Sequence, residues 1–270
     1  MIRNLIRVSP PRSASAHQRL GAGDDIHREL SALYALTENS PHVFGSPLGP
    51  FVLRGATYHL PRFVYFGPEA ANDSVRLAFH AGLDGTDGRS ARALLHVVER
   101  LTLTPDLGQG LNLSFFPIVN PSGFEWGSRR NTQAADLATE NWERSDAPEI
   151  ALLRHDAHVR GYHGFVRIES APVDGVTGIV HVPGATAGPE TSLLIAAEAA
   201  DLFPVRWSND TTPPAHGPLT IADDFAERPF ELILRFPQSW TPAVHREAVS
   251  QVVKRFIVRY RATLAFGLHL

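Results

Sequence analysis

The sequence predicts an α/β domain, and three consecutive segments carry that prediction. SVRLAFHAGLDG, from Ser74 to Gly85, reads as a buried strand that ends in a glycine-bounded turn. From Gly88 to Leu101, residues Ala91, Leu94, Leu95, Val98 and Leu101 fall on one face of a helix. LNLSFFPIVNPSG is a second buried strand, ending in a turn at Asn120-Pro121. A strand, a helix and another buried strand in that order form a crossover unit of an α/β sheet. Ligands of such sheets bind in the loops outside the strand ends. The loops after Leu83 and Val119 are therefore the first places to expect chemistry.

The other elements follow the same logic. Ahead of the crossover, Ile26, Leu30, Leu33, Tyr34 and Leu36 recur at helical spacing between Asp25 and Thr37. PFVLRG and RFVYFG then read as strands joined by a turn-rich segment. Beyond it, Pro172 to Pro189 is rich in Gly, Pro and Val, which suits turns and short strands. Thr191 to Leu202 reads as a helix, Trp207 to Pro218 as a polar loop, and PFELILRF as a further buried strand. Thr241 to Leu264 carries the strongest helix signal. It opens on Thr241-Pro242, a cap and first-turn pair. Ala248, Val252, Phe256 and Tyr260 form one stripe, with Val249, Val253 and Ile257 beside it. No repeat or linker divides the chain. Residues 21–270 are expected as one domain after a partly ordered N-terminal arm, residues 1–20.

Composition narrows the function classes. The chain has 270 residues, 43% hydrophobic and 20% charged, enough to build a sizeable core. A formal net charge of -3, with neither half strongly basic, argues against a nucleic-acid partner. The absence of cysteine excludes disulfides and thiolate metal sites. No segment has the apolar length of a signal peptide or a membrane span. A soluble, cytoplasmic protein with no membrane partner is expected.

Four segments, in order, resemble the zinc carboxypeptidase superfamily, in particular its succinylglutamate desuccinylase/aspartoacylase-like branch. RLAFHAGLDGTDGRSARALLHVVERL is similar to the family's strand, glycine-bounded turn and helix, where an H-x-x-E motif binds zinc. Here Asp84 and Asp87 stand at the His and Glu positions. His80 lies four residues too early, inside the strand, and reads as an ordinary strand histidine. FFPIVNPSGFEWGSRRNTQAADLATENW resembles the P-x-x-NP-x-G-F and DLNREFW stretches. Pro117, Asn120, Pro121, Gly123, Phe124, Arg129, Asp136, Leu137, Glu140 and Trp142 match. The resemblance gives the Arg129 position a role in polarising the scissile carbonyl. The family's Asn-Arg carboxylate clamp is Ala138-Thr139 here, and neither side chain supplies a guanidinium.

LLRHDAHVRGYHGFVRIE resembles the stretch that carries the third zinc ligand. An ungapped alignment on Gly161, Gly164 and Phe165 puts Arg154 at that position and His155 one place later. Read as a strand, the segment turns His155 to the opposite face. RPFELILRFPQSWTPAVHREAVSQVVKRF resembles the PFE-x-x-LETP strand and its following helix. Arg235 takes the place of the general base, with Pro229, Phe230, Glu231, Leu234 and Pro237 matching.

The resemblance implies a mixed, twisted β-sheet with helices on both faces. It also implies that the metal chemistry is lost. A catalytic zinc needs three lone-pair ligands and a base for its bound water. Arg154 has no lone pair to donate, and Arg235 cannot accept a proton. Neither zinc nor another cofactor is expected. A salt-bridge cluster of Asp84, Asp87, Arg154 and Arg235 is expected in the metal's place. Arg129, Arg154 and Arg235 are the candidate ligand-binding residues of a non-catalytic homologue, with a small peptide-like or acidic molecule as ligand. The alternative is a metal-dependent hydrolase of amide or peptide bonds with an altered site. It would hold zinc or another divalent ion, Mg or Mn by donor chemistry, on Asp84, Asp87 and His155. The oligomeric state stays open.

Overall fold

The structure is a computed structural model, and it describes residues 23–70, 74–140, 144–181, 203–207 and 230–267. The N-terminal arm, Trp142, the helix expected from Thr191 to Leu202 and residues 208–218 of the polar loop lie outside the described residues.

The elements run α1 (Gly23–Thr37), β1 (Val43–Gly45), β2 (Leu48–Leu53), β3 (Ala56–Leu60), β4 (Phe63–Phe66) and β5 (Val75–His80). Next come α2 (Gly88–Leu103), β6 (Leu111–Phe116), α3 (Pro121–Trp126) and α4 (Pro148–Arg160). The chain continues with β7 (Gly164–Ala171), β8 (Thr177–His181), β9 (Val205–Trp207), β10 (Phe230–Pro237) and α5 (Pro242–Gly267). Eight strands form one mixed sheet in the order β1-β4-β6-β5-β7-β10-β8-β9, and β2 and β3 make a separate hairpin. The centre is parallel: β5 pairs with β6 and β7, and β7 with β10. β1 and β4 join antiparallel on one side, and β8 pairs antiparallel with β10 on the other.

The two-residue period of the central strands decides what each face carries. Leu77, Phe79, Leu113, Phe115, Val166, Ile168, Leu232, Leu234 and Phe236 point to one face. There they pack with Ile26 and Leu30 of α1, Leu94, Val98 and Leu101 of α2, and Val249, Val253 and Phe256 of α5. Each fully buried aliphatic side chain of this kind contributes about 1.5–3 kcal/mol. The alternate residues face the second cluster, where Ala78, Phe116 and Phe165 meet Leu53, Leu60 of the hairpin and Ile150, Leu153 and Ala157 of α4. That face is less uniformly apolar. It also carries His80, Arg167, Glu169, Glu231 and Arg235, and the carboxyl-end members of this set form the site described below. Among the described residues no helix is long and apolar enough to cross a membrane.

The segment read as the family's third-ligand strand is a helix. Pro148 opens α4, Ile150, Leu153 and Ala157 line its buried stripe, and Gly161 closes it with φ 59°. Asp156 anchors its inner face, accepting from Arg62 and, at 2.7 Å, from the Tyr162 hydroxyl. These apolar positions at three- and four-residue intervals, bracketed by Pro and Gly, are a helix signal that outweighs the ungapped alignment.

Candidate functional site

The loops after β5 and β6 are stitched together by backbone bonds. Val119 N donates to Ala81 O at 3.1 Å, and Asn120 N to Gly82 O at 2.9 Å. The approach is close enough to require glycine twice. Gly82 has φ +63°, and a Cβ there would lie 2.9 Å from Pro117 O. A Cβ on Gly85 would stand 2.3 Å from Ser128 O. Asn120 then orders the junction. Its Oδ1 accepts from Gly123 N, capping α3, and its Nδ2 donates to Leu83 O at 3.2 Å and Arg129 O at 3.1 Å. This buried amide positions the backbone of both Leu83 and Arg129.

At the carboxyl ends of β5, β6, β7 and β10 these loops border a cavity of about 380 Å3. Asp84, Asp87, Arg129, Ala138, Thr139, Arg167, Glu169, Ser170 and Arg235 are among its lining residues. Each charged side chain has an identifiable state. Asp84 Oδ1 accepts from Thr86 N at 2.8 Å and Thr86 Oγ1 at 2.6 Å, an Asx-type turn. Asp87 caps α2 through Ser90 N at 3.1 Å. It also accepts from Ser170 N and Ser170 Oγ, each at 2.8 Å, so both its oxygens are committed to the α2 side of the β7 end.

Glu169 is the hub on the strand side. Its Oε1 accepts from Arg235 Nε and its Oε2 from Arg167 Nη2, both at 2.7 Å. Arg235 and Glu169 are direct neighbours across the parallel β7–β10 pair, so the bridge follows from register. Arg167 is also held by Ala138 O at 3.2 Å. The backbone at the expected Asn-Arg clamp position thus supports an arginine from β7 instead of supplying one. Arg129 donates through Nε to Asp136 Oδ2 at 2.7 Å, and this hydrogen bond holds its guanidinium firmly in the charged form.

Beneath Arg167, His80 stacks between Phe116 and Phe165, at ring centroid distances of 5.0 and 5.9 Å. Burial, assisted by the nearby Arg167 charge, lowers its pKa to about 3, so it is a neutral core histidine. Glu231, on the same face of β10, is buried, and its Oε2 has no hydrogen-bond partner among the described residues. Desolvation raises its pKa to about 7 against the opposing pull of Arg167.

The structure brings Asp84, Asp87, Arg129 and Arg235 to one pocket and leaves out Arg154 and His155. Arg154 lies on α4 and donates to Ser145 O at 3.2 Å, while His155 is exposed on the same helix. The expected four-residue salt-bridge cluster is therefore corrected in composition. A strand does deliver a side chain to the pocket, but it is Glu169 of β7, and the partners of Arg235 are Glu169 and, through it, Arg167. Sequence reading missed Arg167, Glu169 and Ser170. The signal was available in GFVRIESA, where two charges of opposite sign share one face of an otherwise apolar strand.

A divalent metal does not fit these residues. Asp87 is saturated by the α2 cap and Ser170, Glu169 is bound by two guanidinium groups, and three arginines line the same space. Among the described residues, no group of three or more His, Asp or Glu side chains has an arrangement that could hold a metal ion.

No family model matches the chain, and no curated protein matches it in sequence. Solved structures do match its fold. A metallo-carboxypeptidase from Burkholderia cenocepacia aligns with a TM-score of 0.69 at 15% identity, over 86% of this chain and 68% of that one. A metallo-carboxypeptidase from Pseudomonas aeruginosa, in complex with (2-guanidinoethylmercapto)succinic acid, gives 0.64 at 18% identity, over 87% and 68%. An aspartoacylase family protein from Mesorhizobium loti gives 0.60 at 15% identity, over 82% and 68%. The mixed eight-stranded sheet with helices on both faces is the fold of the metallo-carboxypeptidases and aspartoacylase-family proteins, as the four sequence segments imply.

Proposed function

We propose that this protein is a non-catalytic, ligand-binding form of the carboxypeptidase-like fold, and that a small peptide-like or acidic molecule occupies the pocket at the carboxyl ends of β5, β6, β7 and β10. One observation carries the reading. Arg235, at the position aligned with the family's general base, is bonded to Glu169 inside the pocket. A guanidinium cannot take a proton from water at any working pH, so the site has no base there. It does have the donors that recognise carboxylates, from Arg129 and Arg235. Among the structural neighbours, the Pseudomonas aeruginosa metallo-carboxypeptidase is in complex with a succinic acid derivative, which supports a carboxylate-bearing ligand for this pocket.

The test is elemental analysis of purified protein after incubation with zinc, manganese and magnesium, then desalting. Less than a tenth of an equivalent of any metal, about the level of carry-over, is the expected result. Stoichiometric retention of one metal, lost in Asp84→Asn, would overturn the reading in favour of a hydrolase.

A further inference from the structure

The pocket's groups that lack partners among the described residues are of two opposite kinds. The first kind is guanidinium donors. Arg235 engages only its Nε, and the side chain is 39% exposed. Arg129 engages only its Nε, and is 55% exposed. Their four terminal nitrogens have no hydrogen-bond partner among the described residues. Arg167, almost fully buried, leaves Nε and Nη1 without hydrogen-bond partners among the described residues. The second kind is a carboxylate, on a loop that packs against that of Arg129. Asp84 Oδ1 is held by Thr86, and Oδ2 accepts nothing among the described residues.

The ion pairs divide in the same way. Glu169 is shared between Arg167 and Arg235, and Glu231, with its pKa raised to about 7, offsets their charge only in part, which leaves a surplus positive charge among the described residues at the β7–β10 end. Arg129 is matched by Asp136. Asp87 is tied down at the start of α2, and Asp84 feels the Arg129 charge but has no cationic side chain hydrogen-bonded to it among the described residues, which leaves negative charge open at the β5–α2 loop. A simple dianion would satisfy the arginines and meet repulsion at Asp84. A simple cation would do the reverse.

Resting on the reading of this pocket as a ligand site, we infer that its ligand is a small zwitterion, with a carboxylate taken by Arg235 and Arg129 and an ammonium taken by Asp84. The cavity, about 380 Å3, has room for an amino acid or a dipeptide. Both contacts are charge-assisted hydrogen bonds in a partly enclosed site, where they are stronger than in bulk water.

The experiment is isothermal titration of the full chain with four probes: L-alanyl-L-alanine, its N-acetyl derivative, its C-terminal amide, and succinate. The free dipeptide is expected to bind about tenfold or more tightly than each of the other three, the effect of losing one charge-assisted contact. Asp84→Asn, which keeps the turn's Oδ1, should bring the dipeptide and its N-acetyl derivative within about twofold of each other, with N-acetyl binding unweakened. Arg235→Gln should abolish discrimination against the amide. Thermal melts confirm that each variant is folded. Should the N-acetyl dipeptide or succinate bind as tightly as the free dipeptide, or Asp84→Asn leave the preference intact, the zwitterion assignment is overturned while ligand binding stands. Absence of binding by all four probes overturns both.

Discussion

Glu169 and Arg235 stand opposite each other on adjacent parallel strands, with Oε1 and Nε 2.7 Å apart. Their burial differs: the Glu169 side chain is 21% exposed and that of Arg235 39%, while Arg167, on the other oxygen of Glu169, is 5% exposed. The glutamate is therefore the member whose loss costs most. Glu169→Ala removes the side-chain hydrogen-bond partner that the buried Arg167 has among the described residues and should destabilise the fold by about 3 kcal/mol, the lower range for breaking a buried pair. Arg235→Ala should cost less, about 1 kcal/mol, because solvent screens the exposed arginine. Urea denaturation of both variants and the double variant measures this. Equal losses, or additive ones with no coupling, would show that the bridge does not organise the site.

Arg154 and His155 provide a contrast within the same region. Both lie on α4, outside the pocket's lining. Arg154→Ala and His155→Ala should leave affinity for any pocket ligand unchanged within about twofold. Stability should shift by roughly half a kcal/mol or less, as for other partly exposed changes. Loss of binding in either, with the fold intact by circular dichroism, would return the third-ligand position to α4.

Glu231 and His80 make stability depend on pH in opposite directions. Folding raises the Glu231 pKa to about 7, and in the unfolded chain a glutamate titrates near about 4.3. Between those values the unfolded chain has lost a proton that the folded chain keeps, so stability from this group falls as pH rises. Folding lowers the His80 pKa to about 3, against about 6.5 when unfolded. Below about 6.5 the unfolded chain gains a proton that the folded chain refuses, so stability from this group falls as pH falls. The two contributions oppose each other from about pH 4.3 to 6.5. Glu231→Gln removes the first alone. Its stability should then climb between pH 5 and 6.5 more steeply than that of the parent, by up to about 1.4 kcal/mol per pH unit. Denaturant midpoints measured at half-unit intervals check this, and parallel profiles for the two proteins would refute it.

Much of the architecture was legible because it rests on local periodicity. The short, largely apolar runs in SVRLAFHAGLDG and PFELILRF placed two central strands, and the stripes of α1, α2 and α5 emerged close to their observed bounds. Asp84, Asp87, Arg129 and Arg235 were found through the motif resemblance. Asp84 follows the end of β5 by four residues and Arg235 lies within β10, so their approach to the carboxyl edge of the sheet is nearly a local property, whereas Arg129 reaches it only after α3.

What the sequence by itself determined is thus the α/β class, the resemblance to the carboxypeptidase-like fold, and an arginine, Arg235, near the carboxyl end of a central strand. Tertiary structure alone decided which charges meet. Arg154 was excluded because the buried stripe of Ile150, Leu153 and Ala157 makes its segment a helix against the second core. Glu169 was admitted because parallel pairing sets it opposite Arg235. Asp87 was withdrawn from the shared set because the N-terminus of α2 and Ser170 claim both its oxygens. Strand register and helix caps join residues distant in sequence, and a linear pattern holds no record of that pairing.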